Sequence, residues 1–316
     1  MKENTSFVGL DIAKFHIDAY ILPQNKYIRT SNNAEGLKSL QDWMGQSQRI
    51  ERIVLEPTGG YERLALETLS SAGYKVSMVQ AFQIRSYAKA RGVFAKTDKL
   101  DAGILAEYGQ KMPTRIHIPL TPVEQKLRTY VDRRSQVVQM ISEEKNRLQK
   151  SGCEEMYPLI KSSLEFLEKQ KKSLETTIIE LIKSDARLSK LQKILTSIAG
   201  IGSIIAAILI TNLPELGLLN RKQIAKLVGV APLNHDSGTV KGKRVIYGGR
   251  QYVRNSLYLA AMQAVTKDAI LKSFYNRLRQ KGKTGKSALI AVIRKMVLIL
   301  NAKIRDADIF SLLKPI

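Results

Sequence analysis

Phe7-Val8-Gly9-Leu10-Asp11-Ile12 is a short apolar run with one carboxylate near its end. Runs of this kind fold as buried strands, and a strand end is where a side chain reaches the rim of a sheet. Working outward, Ile53-Val54-Leu55-Glu56 has the same form and leads into the turn Pro57-Thr58-Gly59-Gly60. Further on, Asp98-Lys99-Leu100-Asp101-Ala102-Gly103-Ile104-Leu105-Ala106 reads as the start of a helix, so Asp98 and Asp101 share one face of it. Four carboxylates can then converge on one point. Such a cluster is unfavourable alone, because neighbouring like charges raise each other's pKa. Hard oxygen ligands without His or Cys suit Mg²⁺ or Mn²⁺, and two such ions roughly 3.5–4 Å apart can hold the attacking and leaving oxygens of a phosphodiester.

The elements around these acids alternate. Strands are expected at 6–12, 15–22 and 26–30, then a helix at 34–45, a strand at 51–56, a helix at 60–72, a strand at 74–79 and helices at 82–90 and 99–110. Three strands followed by helix, strand, helix, strand and helix is the order of an RNase H/RuvC-like α/β domain. The glycines after Glu56 form a helix-start turn, with backbone amides near a phosphate as the other reading.

Pro113, Pro119 and Pro122 mark a boundary, beyond which the period changes. Apolar residues recur at heptad spacing at Leu127, Val131, Val138, Ile141 and Leu148, and again at Ile160, Leu164, Leu167, Leu174, Ile178, Leu181 and Leu188. This predicts a coiled-coil helical hairpin turning at Ser151-Gly152 and Pro158. Such a hairpin needs a partner for its seam, so a homo-oligomer, dimer or tetramer, held partly through residues 125–190 is expected. The remainder is mostly α-helical, with helices at 221–229, 250–267, 269–280 and 285–304. Expected domains are 1–115, 116–192 and 193–316.

In the last of these, Ile198-Ala199-Gly200-Ile201-Gly202 resembles the hairpin of helix-hairpin-helix modules, in which Gly200 and Gly202 would let backbone N–H groups approach a DNA phosphate. A polar loop follows at Pro232 to Arg244, in the most basic part of the chain.

The chain carries 51 Lys and Arg against 28 Asp and Glu, a formal charge of +23. Sixteen basic residues and one acid, Asp268, lie between Thr239 and Arg305. Lys241, Lys243, Arg244, Arg250 and Arg254 begin that stretch and are the expected phosphate contacts, with binding that weakens steeply in salt. No membrane span is expected, and a single cysteine, Cys153, excludes disulfide scaffolding within the chain and cysteine-based zinc sites. The N-terminus runs into a strand without an apolar signal core, so a cytoplasmic, nucleoid-associated protein is expected.

Taken together, Gly9-Leu10-Asp11, Glu56-Pro57-Thr58-Gly59, Lys96-Thr97-Asp98-Lys99-Leu100-Asp101-Ala102 and the run from Ile198 through Ser237-Gly238 to Gly249-Arg250 resemble the DEDD-type insertion-sequence transposases, whose relatives include the Piv-type DNA invertases. The resemblance spans nearly the whole chain. It implies a RuvC-like domain with Asp11, Glu56, Asp98 and Asp101 as metal-binding catalytic acids, and a C-terminal domain whose Ser237 forms a covalent bond to DNA. It also implies guidance by a structured non-coding RNA. The family often carries Ser-Ser-Gly-Gly where this chain has Asp236-Ser237-Gly238-Thr239. Read from the residues alone, Ser256 rivals Ser237, and His235, on the same side as Ser237 in an extended segment, is either its base or, more commonly for a loop histidine, a structural residue. The competing readings are a metal-only RuvC-like junction resolvase or nuclease and a DNA-bridging protein without catalysis.

Overall fold

The computed structural model describes residues 5–47, 49–150, 152–233 and 244–307. The chain divides into two compact units, Met1–Pro119 and Leu120–Ile316.

The first unit contains β1 (Ser6–Ile12), β2 (His16–Leu22), β3 (Lys26–Ser31), α1 (Ala34–Gly45), β4 (Ile50–Leu55), α2 (Arg63–Ser71), β5 (Val76–Met78), α3 (Ala81–Ala90) and α4 (Asp98–Lys111). The five strands form one mixed sheet in the order β3-β2-β1-β4-β5, with β1–β2 and β2–β3 antiparallel and β1–β4 and β4–β5 parallel. Element order and sheet are consistent with the RNase H-like arrangement expected from the sequence.

Period-two alternation sorts the side chains between the two faces of the sheet. Val8, Leu10, Ile12, Ile17, Ala19, Ile53 and Leu55 pack with Leu37, Leu40 and Leu66 from α1 and α2. Val54 faces the other way and packs with Ile104, Leu105 and Tyr108 of α4 and Ile84 of α3. Gly9 explains how closely α4 lies on that second face: a Cβ there would stand 2.0 Å from the Ala102 carbonyl oxygen and 2.4 Å from the Ala106 nitrogen. Only a residue without a side chain lets the helix backbone lie directly on β1. The Thr97 hydroxyl caps α4 by accepting from the Leu100 N–H at 3.3 Å, which starts the helix at Asp98 and puts both acids in its first turn, the favourable end of the helix dipole.

The second unit begins with α5 (Pro122–Lys150) and α6 (Tyr157–Lys183). Arg134 pairs with Glu175 at 2.7 Å and Lys145 with Glu168 at 3.3 Å, so the two helices run antiparallel as a hairpin. Three sequence expectations change here. Val137, not Val138, is buried, because a straight 3.6-residue helix drifts away from a strict heptad. Pro158 does not form the turn but lies in the first turn of α6, where its missing N–H costs nothing. The second helix does not reach Leu188: it ends at Lys183, and the Asp185 carboxylate accepts from the Leu188 N–H at 2.9 Å to start α7 (Ala186–Thr196). Leu127, Val131, Ile178 and Ile182 join a core shared with the following helices, whereas Ile160, Leu164 and Leu167 are only half-buried.

That core is built around α8 (Ser203–Asn212), apolar on every side and buried from Ala206 to Thr211, as a central helix must be. α5, α6, α7 and α10 (Gln251–Lys267) pack against it, and α9 (Arg221–Val228), α11 (Ala269–Gln280) and α12 (Gly285–Asp306) complete the core. A two-stranded ribbon, β6 (Pro232–Leu233) with β7 (Val245–Ile246), pairs the ends of the polar loop.

Candidate functional site

Parity along the strands places the acids. Asp11 follows Gly9 and Glu56 follows Val54 by two, so both carboxylates share the sheet face on which α4 lies. The last β1–β4 register pair is Leu10 with Leu55, which puts Asp11 and Glu56 one step beyond it on neighbouring strands. The first turn of α4 brings Asp98 and Asp101 to the same edge.

The electrostatics agree with this placement. Burial, then the charges of Asp101, Glu56 and Asp98 in that order, push the Asp11 pKa up to about 6. Burial also raises Glu56, with Arg85 opposing and Asp101 adding to the effect. Asp101 is raised by burial, opposed by Lys96 and Arg85 and reinforced by Asp98. Each shift has the sign expected when carboxylates share a desolvated site without enough positive charge. An all-carboxylate oxygen donor set with excess negative charge fits a hard divalent cation such as Mg²⁺ or Mn²⁺.

Sequence reading missed a fifth acid. Asp18 stands directly opposite Asp11 in the β1–β2 register, and Arg29 directly opposite Asp18 in the β2–β3 register. Two acids facing each other across a strand pair repel. Here Asp18 is fully buried but amply paired: Arg29 donates to it at 2.8 and 3.1 Å, and the Tyr27 hydroxyl donates as well. Arg29 also reaches over to Asp98 at 2.5 Å. His16, Asp18 and Asp98 offer ligand atoms within 4.8 Å of one another. A guanidinium already bridges the two acids, so a metal ion there would compete with Arg29 for the same oxygens. The signal for Asp18 is strand pairing, which the order of residues alone does not display.

The loop after Glu56 is held from within. The Glu62 carboxylate accepts from the N–H groups of Thr58 and Gly60, at 3.0 and 2.8 Å, and from the Thr58 hydroxyl. The Gly60 amide is therefore committed to the turn rather than free for a phosphate.

In the second unit, Ser237, Lys241 and Lys243 lie outside the described residues, as does His235. Arg244 is exposed beside the ribbon. Arg250 forks onto Glu215, 2.5 Å to each oxygen, and donates to the Asn212 carbonyl at 2.8 Å. Arg254 donates to the Gly248 carbonyl at 2.7 Å. Arg254 thus anchors the backbone beside the ribbon, and Arg250 ties the start of α10 to the segment after α8. Gly200, at φ +86°, presses on α10, where a Cβ would meet the Ala260 carbonyl at 2.1 Å, so its glycine serves helix packing. Gly202 is the N-cap of α8, is exposed and has open space where a side chain would stand. Ser256 is buried with its hydroxyl donating to the Tyr252 carbonyl one turn back, a geometry that removes it as a rival nucleophile. Among the described residues, no helix is long and apolar enough to cross a membrane.

Comparison with known proteins gives a consistent picture. The transposase family model DEDD_Tnp_IS110 matches residues 8–151, and the model for the transposase IS116/IS110/IS902 family matches residues 192–276. The first match contains all four acids and the second contains Ser237. The chain is 29% identical over 312 residues to the pilin gene-inverting protein of Moraxella bovis, covering 95% of this chain and 96% of that protein. Its counterpart in Moraxella lacunata is similar to the same degree. The uncharacterized protein of insertion element IS110 from Streptomyces coelicolor is 28% identical over 156 residues, 49% of this chain and 38% of that one.

Proposed function

Because this chain belongs to the IS110 family of transposases and is a DNA recombinase, we propose that it cuts and rejoins DNA with Asp11, Glu56, Asp98 and Asp101 as metal ligands and Ser237 as nucleophile. The observation that carries this reading is the shared edge where Asp11, Glu56 and Asp101 converge, and where burial first and neighbouring carboxylates second raise their pKa values. Mg²⁺, or Mn²⁺ in its place, would supply at that edge the positive charge that a phosphodiester under attack requires.

In the reaction proposed, the Ser237 oxygen attacks phosphorus, and the new O–P bond replaces the O–P bond to the departing strand. The serine proton leaves and the departing oxygen gains one, so charge balances. Bond energy is retained in the serine–DNA ester, and rejoining to another strand needs no nucleotide cofactor. The chain has no Walker-type loop, in keeping with this. Three functional segments are inferred, 1–115 for the acids, 116–192 for assembly into a homo-oligomer and 193–316 for the serine and strand binding. Lys241, Lys243 and Arg244, together with the α8 N-terminus at Gly202, are the inferred contacts to phosphate, while Arg250 and Arg254 act by holding their platform. The substrate is DNA at element ends and targets, selected with a structured guide RNA, in the cytoplasm at the nucleoid. Near-full-length similarity to pilin gene-inverting proteins supports inversion as one outcome.

The test is a denaturing gel of a DNA substrate incubated with protein and Mg²⁺. Wild type gives a protein–DNA adduct, and Ser237→Ala gives neither adduct nor rejoined product. If Ser237→Ala cleaves as wild type does, the protein is a metal-only nuclease of the resolvase kind.

A further inference from the structure

Of the six aromatic side chains that are exposed among the described residues, four lie in the first unit and two, Phe166 and Tyr247, in the second. The four follow the carboxyl ends of β1, β4 and β5 or lead into α4, the same edge that carries the acids. Phe15 is 73% exposed, Phe82 59% and Phe94 81%, values that leave most of each ring in water. Exposure on this scale costs hydrophobic free energy at every ring, and a cluster of such rings marks a surface that meets something.

Each ring travels with a cation. Lys14 stands over the Phe15 ring at 4.9 Å from its centroid. Phe82 precedes Arg85 by one turn on the same face of α3, and Arg85 acts on both Glu56 and Asp101. Phe94 and Lys96 are two apart in the segment entering α4, and Lys96 acts on the same two acids. The turn bearing Phe15 is tied to the loop after Glu56, because the Asn32 amide donates to the carbonyls of both Ala13 and Tyr61, at 2.9 and 3.0 Å. The segments that carry the rings therefore all lie at the edge of the sheet that carries the acids.

We propose that Phe15, Phe82 and Phe94 form a stacking platform for unpaired nucleobases flanking the phosphate that is cut. The inference rests on the recombinase reading and specifies the form of its substrate. Aromatic faces interleaved with Lys and Arg are the chemistry of single-strand binding: cations track the backbone while rings stack on bases of any sequence. A duplex offers no free base face, since its bases are stacked on each other. Strand exchange demands separated strands near the cut, and the platform stabilises that opened state.

The experiment uses the full chain without divalent metal and two probes, a single-stranded oligonucleotide carrying 2-aminopurine and its duplex. Wild type should bind the single strand more tightly than the duplex and quench the 2-aminopurine. Phe15→Leu/Phe94→Leu keeps apolar bulk but removes two π-faces, and should weaken single-strand binding at least tenfold and relieve the quench, leaving duplex affinity within twofold. Phe166→Leu should change neither. Thermal melts establish that both variants are folded, as exposed positions allow. Equal affinity and quenching for wild type and Phe15→Leu/Phe94→Leu, or no preference of wild type for the single strand, overturns the platform. Absence of Mg²⁺-dependent cleavage by wild type instead sinks the recombination chemistry and leaves the stacking result standing.

Discussion

Glu215 in the second unit is buried and Asp11 in the first half-buried, and the surroundings of the two carboxylates are opposite. Glu215 receives both arms of Arg250. Glu124, also buried, receives Arg187 and the Thr121 N–H at 2.8 Å. Asp11 instead faces Asp101, Glu56 and Asp98, and no hydrogen bond or ion pair among the described residues uses its carboxylate. Where folding alone is at stake, each buried acid gains a partner, because an unpaired buried charge is strongly destabilising. At the sheet edge negative charge accumulates, a strain that a proton or an external cation would relieve. Asp18 sharpens the contrast, since it sits directly across from Asp11 and is fully paired by Arg29 and Tyr27.

The largest break in this comparison comes from the edge itself. Asp11→Asn or Asp101→Asn should lower metal-dependent strand cleavage about a thousandfold, the scale of losing a preorganised electrostatic group, measured by single-turnover kinetics. Glu215→Ala should act only on folding. It removes the carboxylate partner of Arg250, which keeps the Asn212 carbonyl, and should cost about 1.5–3 kcal/mol in urea unfolding, with Mn²⁺ binding unchanged in the folded fraction. Gly9→Ala tests how α4 carries its acids to Asp11. The added methyl meets the Ala102 and Ala106 backbone, so a cost of about 1–3 kcal/mol should accompany weakened Mn²⁺ binding, seen by electron paramagnetic resonance.

A smaller effect follows from pH. The folded Asp11 pKa of about 6 lies above its ordinary value of 3.8, so the folded state holds an extra proton between those values. Stability without metal should therefore fall as pH rises through that window and level off above it. Melting curves of wild type and Asp11→Asn should diverge across it, and coincident curves would remove the strain from the account. Mn²⁺ affinity of wild type should fall as pH drops below about 6.

Much of this was legible in the sequence because local patterns carry it. The strand-end positions of Asp11 and Glu56, the spacing of Asp98 and Asp101, and the element order of the first unit depend on period and turn chemistry within a few residues. Asp18 and Arg29 were not legible, because their place beside Asp11 arises from pairing three strands in one register. Val138 was misassigned for a related reason: in a long helix, seven residues do not make two whole turns, so the buried stripe drifts to Val137. Arg250 and Arg254 read as phosphate contacts from charge alone, whereas Glu215 and the Gly248 carbonyl, distant or silent in the sequence, claim them.

Thermal melting of wild type and Asp11→Asn at pH 7.5, with EDTA and with Mg²⁺, tests most directly whether Asp11, Glu56 and Asp101 await a cation at the sheet edge. Asp11→Asn should melt higher in EDTA, and Mg²⁺ should raise the wild type markedly and the variant little. If wild type melts higher than Asp11→Asn in EDTA and is indifferent to Mg²⁺, the acids are not a metal site and the account is wrong.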